Sequence, residues 1–176
     1  CSTGTGKTAA FGLPLLHNLA NGHQTVQGLV LVPTRELALQ VARALADFGQ
    51  AMDLRVLSIY GGDSYSRQIG ALQRGVDVVV GTPGRLLDLL KRRSLDLSQV
   101  RTVVLDEADE MLSMGFVEDI EEILNETPET RQTALFSATV SPEIRRLAGR
   151  YLRDPQSISI APVSYTHLTL PTSDLV

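Results

Sequence analysis

The sequence lacks several features that would point to other classes of protein. It contains one cysteine among 176 residues, so no disulfide can form within the chain and a reducing compartment is expected. No apolar run is long enough to cross a bilayer and no signal peptide is recognisable, so we expect a cytoplasmic protein without membrane contact. A net charge of −4 argues against a surface that is basic throughout, and any nucleic-acid site must be a local patch. The three histidines show no metal-binding spacing.

What the sequence does contain begins with a glycine-rich segment at residues 1–8, which ends in Gly-Lys-Thr. Glycines let successive backbone N–H groups point at one anion, a lysine reaches the terminal phosphates, and a threonine hydroxyl can bind the accompanying Mg²⁺. About a hundred residues further on, Asp106 and Glu107 supply two carboxylates. Together the two segments predict a site for a nucleoside triphosphate and Mg²⁺.

Predicted strands and helices alternate along the chain, whose length suits one domain. A short apolar run closed by Pro33 predicts a buried strand at residues 29–32. Further strands are predicted at residues 55–60, 77–81, 102–105, 133–136 and 157–160. Helical spacing predicts helices at residues 7–19, 35–48, 65–73, 83–93, 117–124 and 142–151. This alternation is typical of a three-layer α/β fold, in which helices cover both faces of a mostly parallel sheet.

In sheets of this kind, ligands bind at the carboxyl ends of the strands. Polar or glycine-containing segments follow five of the predicted strands, at residues 33–36, 61–62, 82–85, 106–109 and 137–139. We therefore expect the chemistry of the protein to lie along this one edge of the sheet.

In their order along the chain, these segments resemble the motifs of the DEAD-box RNA helicases, specifically of the first RecA-like domain of that family. The segments that resemble motifs I, Ia, GG, Ib, II and III are, in that order, residues 3–8, 33–37, 61–62, 82–85, 106–109 and 137–139. Each tripeptide alone is weak support, but the ordered set is very specific. The resemblance covers residues 1 to about 160 and implies a RecA-like P-loop NTPase domain that uses ATP and Mg²⁺.

The resemblance also implies a role for each residue of the nucleotide site. Lys7, Asp106 and Glu107 are the implied catalytic residues: Lys7 neutralises the phosphates, and Glu107 orients and polarises the attacking water. Thr8 and Asp106 are the implied Mg²⁺ ligands. The implied nucleotide-binding residues are Thr3, Gly4, Thr5, Gly6, Lys7 and Thr8.

Two further groups of residues are implied to act on RNA. Asp109, Ser137 and Thr139 resemble the family's network that couples the hydrolysis site to RNA engagement. The implied contacts grip the RNA backbone without reading bases, and they are Pro33, Thr34, Arg35, Gly61, Gly62, Thr82, Pro83, Gly84 and Arg85. Contacts with 2′-hydroxyl groups would favour RNA over DNA.

The chain departs from the family pattern in several places. Cys1 stands where a strict phosphate-binding loop has glycine and where this family usually has alanine. The sequence also lacks the strand that leads into the loop, the glutamine-containing segment that recognises adenine, and the second RecA-like domain with its arginine finger. We therefore expect a sheet without its first strand, weak binding of ATP and little activity from this chain alone.

Three classes of function remain open on the sequence. The first is the amino-terminal motor half of an ATP-dependent RNA helicase. The second is another superfamily-two P-loop ATPase that acts on DNA or translocates protein, which the Asp-Glu-Ala-Asp spelling disfavours. The third is an inactive module that binds RNA or a partner. Plainer interpretations of single motifs are a surface ion pair at residues 35–36, a turn at 61–62 and a helix start at 82–84.

Residues 161–176 break the alternating pattern and contain no basic residue. We interpret residues 1–160 as the helicase ATP-binding domain, truncated at its amino end. The tail is interpreted either as a linker to a further domain or as a non-native extension, and an uninterrupted native reading frame through these residues would exclude the second interpretation.

Overall fold

The computed structural model describes residues 6–19 and 24–159. Within these residues, five strands alternate with seven α-helices and one short 3-10 helix at Gln50–Met52. The strands are β1 (Gly28–Leu31), β2 (Val56–Ile59), β3 (Val78–Gly81), β4 (Thr102–Leu105) and β5 (Gln132–Leu135). The α-helices are α1 (Lys7–His17), α2 (Arg35–Phe48), α3 (Tyr65–Gln73), α4 (Pro83–Lys91), α5 (Ala108–Ser113), α6 (Val117–Asn125) and α7 (Pro142–Tyr151).

The strands form one parallel sheet in the order β2-β3-β1-β4-β5. The register pairs the last residues of neighbouring strands: Leu31 lies opposite Gly81 and Leu105, Gly81 opposite Ile59, and Leu105 opposite Leu135. All five carboxyl ends therefore meet at one edge of the sheet. This confirms the predicted α/β class and places the segments that follow the strands side by side.

Both faces of the sheet are covered, which explains why the central strands read as continuous apolar runs. Every residue of β1, β3 and β4 is buried. Leu29, Leu31 and Val103 belong to the core under α3 to α7, and Val30 and Val104 belong to the core under α1 and α2. The alternation of side chains along each strand thus builds the three layers.

Polar caps set the starts of several helices. The side-chain oxygens of Thr34, Ser64 and Ser141 accept hydrogen bonds from the amides three residues on, at 3.3, 3.4 and 3.2 Å. Such caps satisfy amides that have no partner within the helix. Pro83 occupies the first turn of α4, where its missing N–H costs nothing. These signals explain why the predicted starts of α2, α3, α4 and α7 are confirmed.

The strand predicted at residues 157–160 is wrong for residues 157–159, which form no strand and are exposed. Ile158 is 86% exposed, and no described strand pairs with this segment. Helix α5 was not predicted, because its six residues are too few to show a helical period. Residue 160 and the tail at 161–176 lie outside the described residues. None of the described helices is long and apolar enough to cross a membrane.

Candidate functional site

The part of the site that is predicted to bind phosphate begins where α1 begins. Gly6 has φ +73°, a left-handed conformation that favours glycine, and Lys7 is the first residue of the helix. The N–H groups of a first helical turn have no partners within the helix, so this terminus favours an anion. Thr8 follows in the same turn and is half-buried. The predicted nucleotide-binding residues Thr3, Gly4 and Thr5 lie outside the described residues.

The structure brings Lys7, Asp106 and Glu107 together, although a hundred residues separate them in sequence. Lys7 Nζ lies 2.8 Å from Asp106 Oδ1 and 3.9 Å from Glu107 Oε1. Asp106 follows β4, and its amide donates to Leu31 O of the neighbouring strand at 2.9 Å. The predicted acidic pair therefore sits at the carboxyl edge of the sheet, directly beside the start of α1.

Asp106 has the chemistry of a cation ligand. The residue is fully buried, and Oδ1 accepts a hydrogen bond from the Glu107 amide at 2.9 Å. Its other oxygen, Oδ2, is buried without a hydrogen-bond partner, which is unusual for a carboxylate in a core. No group of three or more acidic, histidine or cysteine side chains that could hold a metal occurs in residues 6–19 and 24–159. A cation here would therefore take further oxygen ligands from Thr8, water or phosphate, as Mg²⁺ commonly does.

Glu107 is held in a strained backbone conformation. Its φ and ψ are +52° and +48°, and it is the residue that precedes the first turn of α5. A residue with a side chain pays of order 1 kcal/mol for this left-handed conformation, and such residues cluster at functional sites. The Ala108 amide then donates to Phe136 O at 3.0 Å, which ties the acidic segment to the end of β5.

The predicted coupling residues Asp109, Ser137 and Thr139 also meet. Asp109 Oδ2 accepts hydrogen bonds from the amide and the hydroxyl of Thr139, each at 3.1 Å, and Ser137 Oγ donates to Thr139 O at 2.7 Å. Burial alone would raise the pKa of Asp109, but hydrogen bonding to its carboxylate, chiefly from Thr139, outweighs burial and lowers the pKa. A carboxylate thus joins the acidic segment after β4 to the segment after β5.

The predicted RNA-contacting segments follow β1, β2 and β3, which are adjacent strands. Thr34 caps α2 with its hydroxyl, and the Arg35 guanidinium lies 4.9 Å from the centre of the Tyr60 ring. Gly61 and Gly62 are exposed, and Gly62 has φ +82°.

The third of these segments begins α4. Thr82 stands before the helix without capping it through its side chain, Pro83 is buried in its first turn and Gly84 is exposed. The Arg85 guanidinium turns back to the segment after β2, where Nη1 donates to Asp63 O at 2.9 Å. Gly81, the last residue of β3, leaves no room for a side chain, since a Cβ would lie 2.6 Å from Ile59 O.

Sequence reasoning missed Asp63 and Gln68, which join these segments. Asp63 pairs with Arg67, and hydrogen bonding to that guanidinium lowers the pKa of Asp63 to about 2. Gln68 is fully buried and bonded to both Asp63 and Arg85. The one sequence signal for the burial of Gln68 was its place on α3 next to Ile69, a residue that packs against the core.

The sequence is similar to known helicases over most of its length. A sequence profile of the DEAD/DEAH box helicases matches residues 1–147. The chain is 56% identical over 158 residues to the DEAD-box ATP-dependent RNA helicase CshA of Bacillus cereus, covering 90% of this chain and 30% of the relative. It is 58% identical over 158 residues to the ATP-dependent RNA helicase DeaD of Mycobacterium tuberculosis, covering 89% of this chain and 28% of that relative.

Solved structures agree with the sequence comparison. A DEAD box protein from the hyperthermophile Methanococcus jannaschii matches with a TM-score of 0.82 and 44% identity, over 88% of this chain and 42% of that chain. A hypothetical ATP-dependent RNA helicase from Sulfolobus tokodaii matches with a TM-score of 0.79 and 44% identity, over 89% of this chain and 45% of that chain. These similarities confirm the predicted RecA-like fold and the suspected family: the chain belongs to the DEAD/DEAH box helicases.

Proposed function

We propose that this chain is the part of an ATP-dependent RNA helicase that binds and hydrolyses ATP with Mg²⁺ and contacts the RNA backbone. The observation that carries the proposal is that the Lys7 ammonium lies over the buried Asp106 carboxylate, with Glu107 beside it. Triphosphate hydrolysis needs positive charge on the phosphates and a group that orients water, and these three side chains supply both. The two curated relatives are named as ATP-dependent RNA helicases, which supports the same assignment.

Lys7 acts by exchanging one anionic partner for another. Its side chain is 21% exposed although Asp106 is almost wholly buried, so phosphate oxygens can approach the ammonium from the open side. Together with the first-turn N–H groups of α1, Lys7 then binds the terminal phosphates of ATP. Its charge offsets the negative charge that spreads over the transferred phosphoryl group.

Asp106 and Glu107 have different roles in this proposal. Asp106, through its unpartnered Oδ2, and Thr8 would hold Mg²⁺, which neutralises charge on the triphosphate when bound. Glu107 is half-buried, and its carboxylate accepts a hydrogen bond from the attacking water and holds it in line with the terminal phosphorus. The Asp109 to Thr139 contact links this acidic segment to the end of β5, so it serves as the coupling element.

RNA lies, in this proposal, across the carboxyl ends of β1, β2 and β3. The surface offers exposed glycine backbone at Gly61, Gly62 and Gly84, the half-buried Thr82 just before α4, and the side chains of Thr34 and Arg35. Backbone amides, hydroxyls and helix starts bind phosphates and sugars without reading bases. Binding is therefore independent of sequence and weakened by salt.

The chain spans about 30% of the length of the curated relatives it matches, so unwinding belongs to the whole protein. We expect the isolated chain to bind ATP and single-stranded RNA weakly and to unwind nothing, because the family closes on ATP and RNA with a second RecA-like domain. Joining this chain to such a domain restores RNA-stimulated turnover.

Turnover is tested in a chimera, in which the matching 158 residues of this chain replace their counterpart in the Bacillus cereus relative. Lys7→Ala lowers kcat/KM for ATP about 100-fold or more, because charge stabilisation of the transition state is lost. Lys91→Ala is the matched control, since Lys91 is an exposed lysine paired with Glu122 at the far end of α4. Equal loss of activity in both variants would contradict the role of Lys7.

RNA binding is tested by fluorescence anisotropy on the same chimera. Two unrelated RNA sequences bind equally, the matching DNA binds less well, and a non-hydrolysable ATP analogue strengthens RNA binding. Preference for DNA would favour another superfamily-two ATPase. Equal RNA binding with and without the analogue would favour an inactive RNA-binding module.

A further inference from the structure

Gln68 is a buried polar side chain that ties three elements together. It lies on α3 and is 0% exposed. Its amide nitrogen donates to Tyr60 O at 3.2 Å and to Asp63 Oδ2 at 3.1 Å, and its amide oxygen accepts from Arg85 Nη1 at 3.0 Å. Both ends of the amide are therefore used. A buried amide is costly unless its hydrogen bonds are made, so this geometry is specific.

Arg85 closes the same network from α4. Its Nη1 donates to Asp63 O as well as to Gln68, at 2.9 and 3.0 Å. Its Cζ lies 3.9 Å from the centre of the Tyr65 ring, and the hydroxyl of that ring hydrogen-bonds Asp88. The guanidinium is thus fixed by a ring on one side and by two oxygens at its tip.

The turn at residues 61–63 lies between the groups that this network holds. Tyr60 O precedes the turn, and both the carbonyl and the carboxylate of Asp63 stand at its end. The glycines between them are exposed, and a Cβ at either position would meet no atom within 4 Å. Contacts with the buried Gln68 and with Arg85 therefore hold the two ends of the turn, while its middle stays open to a ligand.

We propose that Gln68 and Arg85 are positioning residues for nucleic-acid binding, which fix both ends of the turn at residues 61–63 so that its glycine backbone meets a sugar–phosphate backbone in one geometry. This rests on the RNA surface proposed above and assigns Arg85 a different task from the direct phosphate contact that the sequence suggests. A turn that is already ordered loses less conformational freedom on binding. Binding strength then depends on residues that do not touch the RNA.

The order of the turn is measured without any ligand, by amide hydrogen exchange on the ¹⁵N-labelled chain. Gln68→Met keeps the volume of the side chain but removes all three hydrogen bonds, and we expect exchange at residues 61–64 to rise about tenfold. The matched control is Gln27→Met, because Gln27 is also buried but precedes β1, at the opposite edge of the sheet. Equal exchange at residues 61–64 in the two variants would overturn the proposal.

The effect on binding is measured with single-stranded RNA and, separately, with ATP. Gln68→Met weakens RNA binding by the chimera about tenfold relative to Gln27→Met, while the KM for ATP is the same in both variants. Unchanged RNA affinity would overturn the positioning role. If no variant binds RNA, the proposed function fails instead, and the exchange measurement still decides whether Gln68 orders the turn.

Arg85→Lys separates positioning from direct contact and carries the test if Gln68→Met does not fold. A lysine keeps the positive charge, so a direct phosphate contact tolerates the change, whereas lysine cannot reproduce a fixed, stacked guanidinium. We expect Arg85→Lys to weaken RNA binding as much as Arg85→Ala, and the double variant with Gln68→Met to be no weaker than either single variant. Retained affinity in Arg85→Lys would overturn the assignment.

Discussion

The proposed nucleotide site and the network around Gln68 lie along the same edge of the sheet but are built in opposite ways. In the first, Asp106 Oδ2 is buried without a partner and Glu107 has a strained backbone. In the second, the amide of Gln68 makes three hydrogen bonds, and Arg85 donates to two oxygens. Unsatisfied buried groups and strain mark places where a ligand completes the structure, whereas satisfied buried networks make it rigid.

This contrast separates residues that act on a ligand from residues that hold the structure in place, which a sequence motif alone does not distinguish. Substitutions in the proposed nucleotide site should remove activity at little cost in stability, because the site is not optimised for the stability of the protein alone. Substitutions in the Gln68 network should cost stability first and affect binding through the shape of the turn. The following experiments test this division, from the largest expected effect to the smallest.

The largest effect is expected on turnover. Glu107→Gln keeps the size of the side chain but removes the carboxylate, so ATP still binds while kcat in the chimera falls about 10²- to 10⁴-fold. Glu110→Gln is the control, because Glu110 lies one turn further along α5 and is exposed. Turnover at the unmodified rate in Glu107→Gln would show that another group orients the water.

The next effect distinguishes a glycine that the fold requires, Gly81, from a glycine that is proposed to contact RNA, Gly61. A Cβ on Gly81 would lie 2.6 Å from Ile59 O and 2.9 Å from Leu86 Cγ, so Gly81→Ala should lower the free energy of unfolding by about 3 kcal/mol. Gly61→Ala meets nothing within 4 Å and should change that free energy by less than about 0.5 kcal/mol. Urea denaturation of the chain measures both.

The RNA affinity of the same pair completes the test. Gly61→Ala, which is stable, should still weaken RNA binding, because the added methyl group keeps a phosphate away from the exposed backbone. If Gly61→Ala binds RNA like the unmodified chimera, the turn does not contact RNA.

Local signals were sufficient to predict most of the fold. Strands β1, β3 and β4 are short apolar runs because both their faces are buried, and α2, α3 and α7 start at polar caps. The strand predicted at residues 157–160, where serine and isoleucine alternate, is absent at residues 157–159. A strand is stable only when a neighbouring strand pairs with its backbone N–H and C=O groups. The sequence of the segment itself does not show whether such a neighbour is present.

The candidate site was only partly predictable for the same reason. The order of motifs indicated that Lys7 and Asp106 belong to one site, but not that they form a 2.8 Å ion pair. Gln68 contacts groups from two other elements, and the positive φ of Glu107 follows from where β4 ends and α5 begins. Such features depend on tertiary structure, so local sequence patterns do not contain them.

The unfolding free energies of one variant from each region compare the Gln68 network with the proposed nucleotide site directly, and the expected difference is moderate. Gln68→Met removes three buried hydrogen bonds and should cost about 1 to 3 kcal/mol of unfolding free energy. Asp106→Asn should change it by less than about 1 kcal/mol, because the Lys7 ammonium is 21% exposed, so water can replace the lost carboxylate, and a neutral amide costs less to bury than a charged group. Urea denaturation of both variants measures this, and a larger loss in Asp106→Asn would reverse the comparison.

The smallest effect is expected at the contact between Asp109 and Thr139, which joins the segment after β4 to the segment after β5. Although burial raises the pKa of Asp109, hydrogen bonding to its carboxylate, chiefly from Thr139, lowers the pKa overall, so the folded state favours the carboxylate. This stabilisation is fully present above the ordinary aspartate pKa of about 4 and is lost as the pH falls through the lowered value of the folded state.

Thr139→Val removes the hydroxyl that donates to Asp109 at 3.1 Å while keeping the size of the side chain. We expect a cost of about 0.5 kcal/mol at about pH 7, at the low end for a hydrogen bond because the pair is exposed, and a smaller cost at about pH 3. Thr130→Val, at an exposed threonine, is the control for the change in side-chain type. Urea denaturation at both pH values measures the difference, and a cost that stays constant with pH would show that the charge of Asp109 does not strengthen this contact.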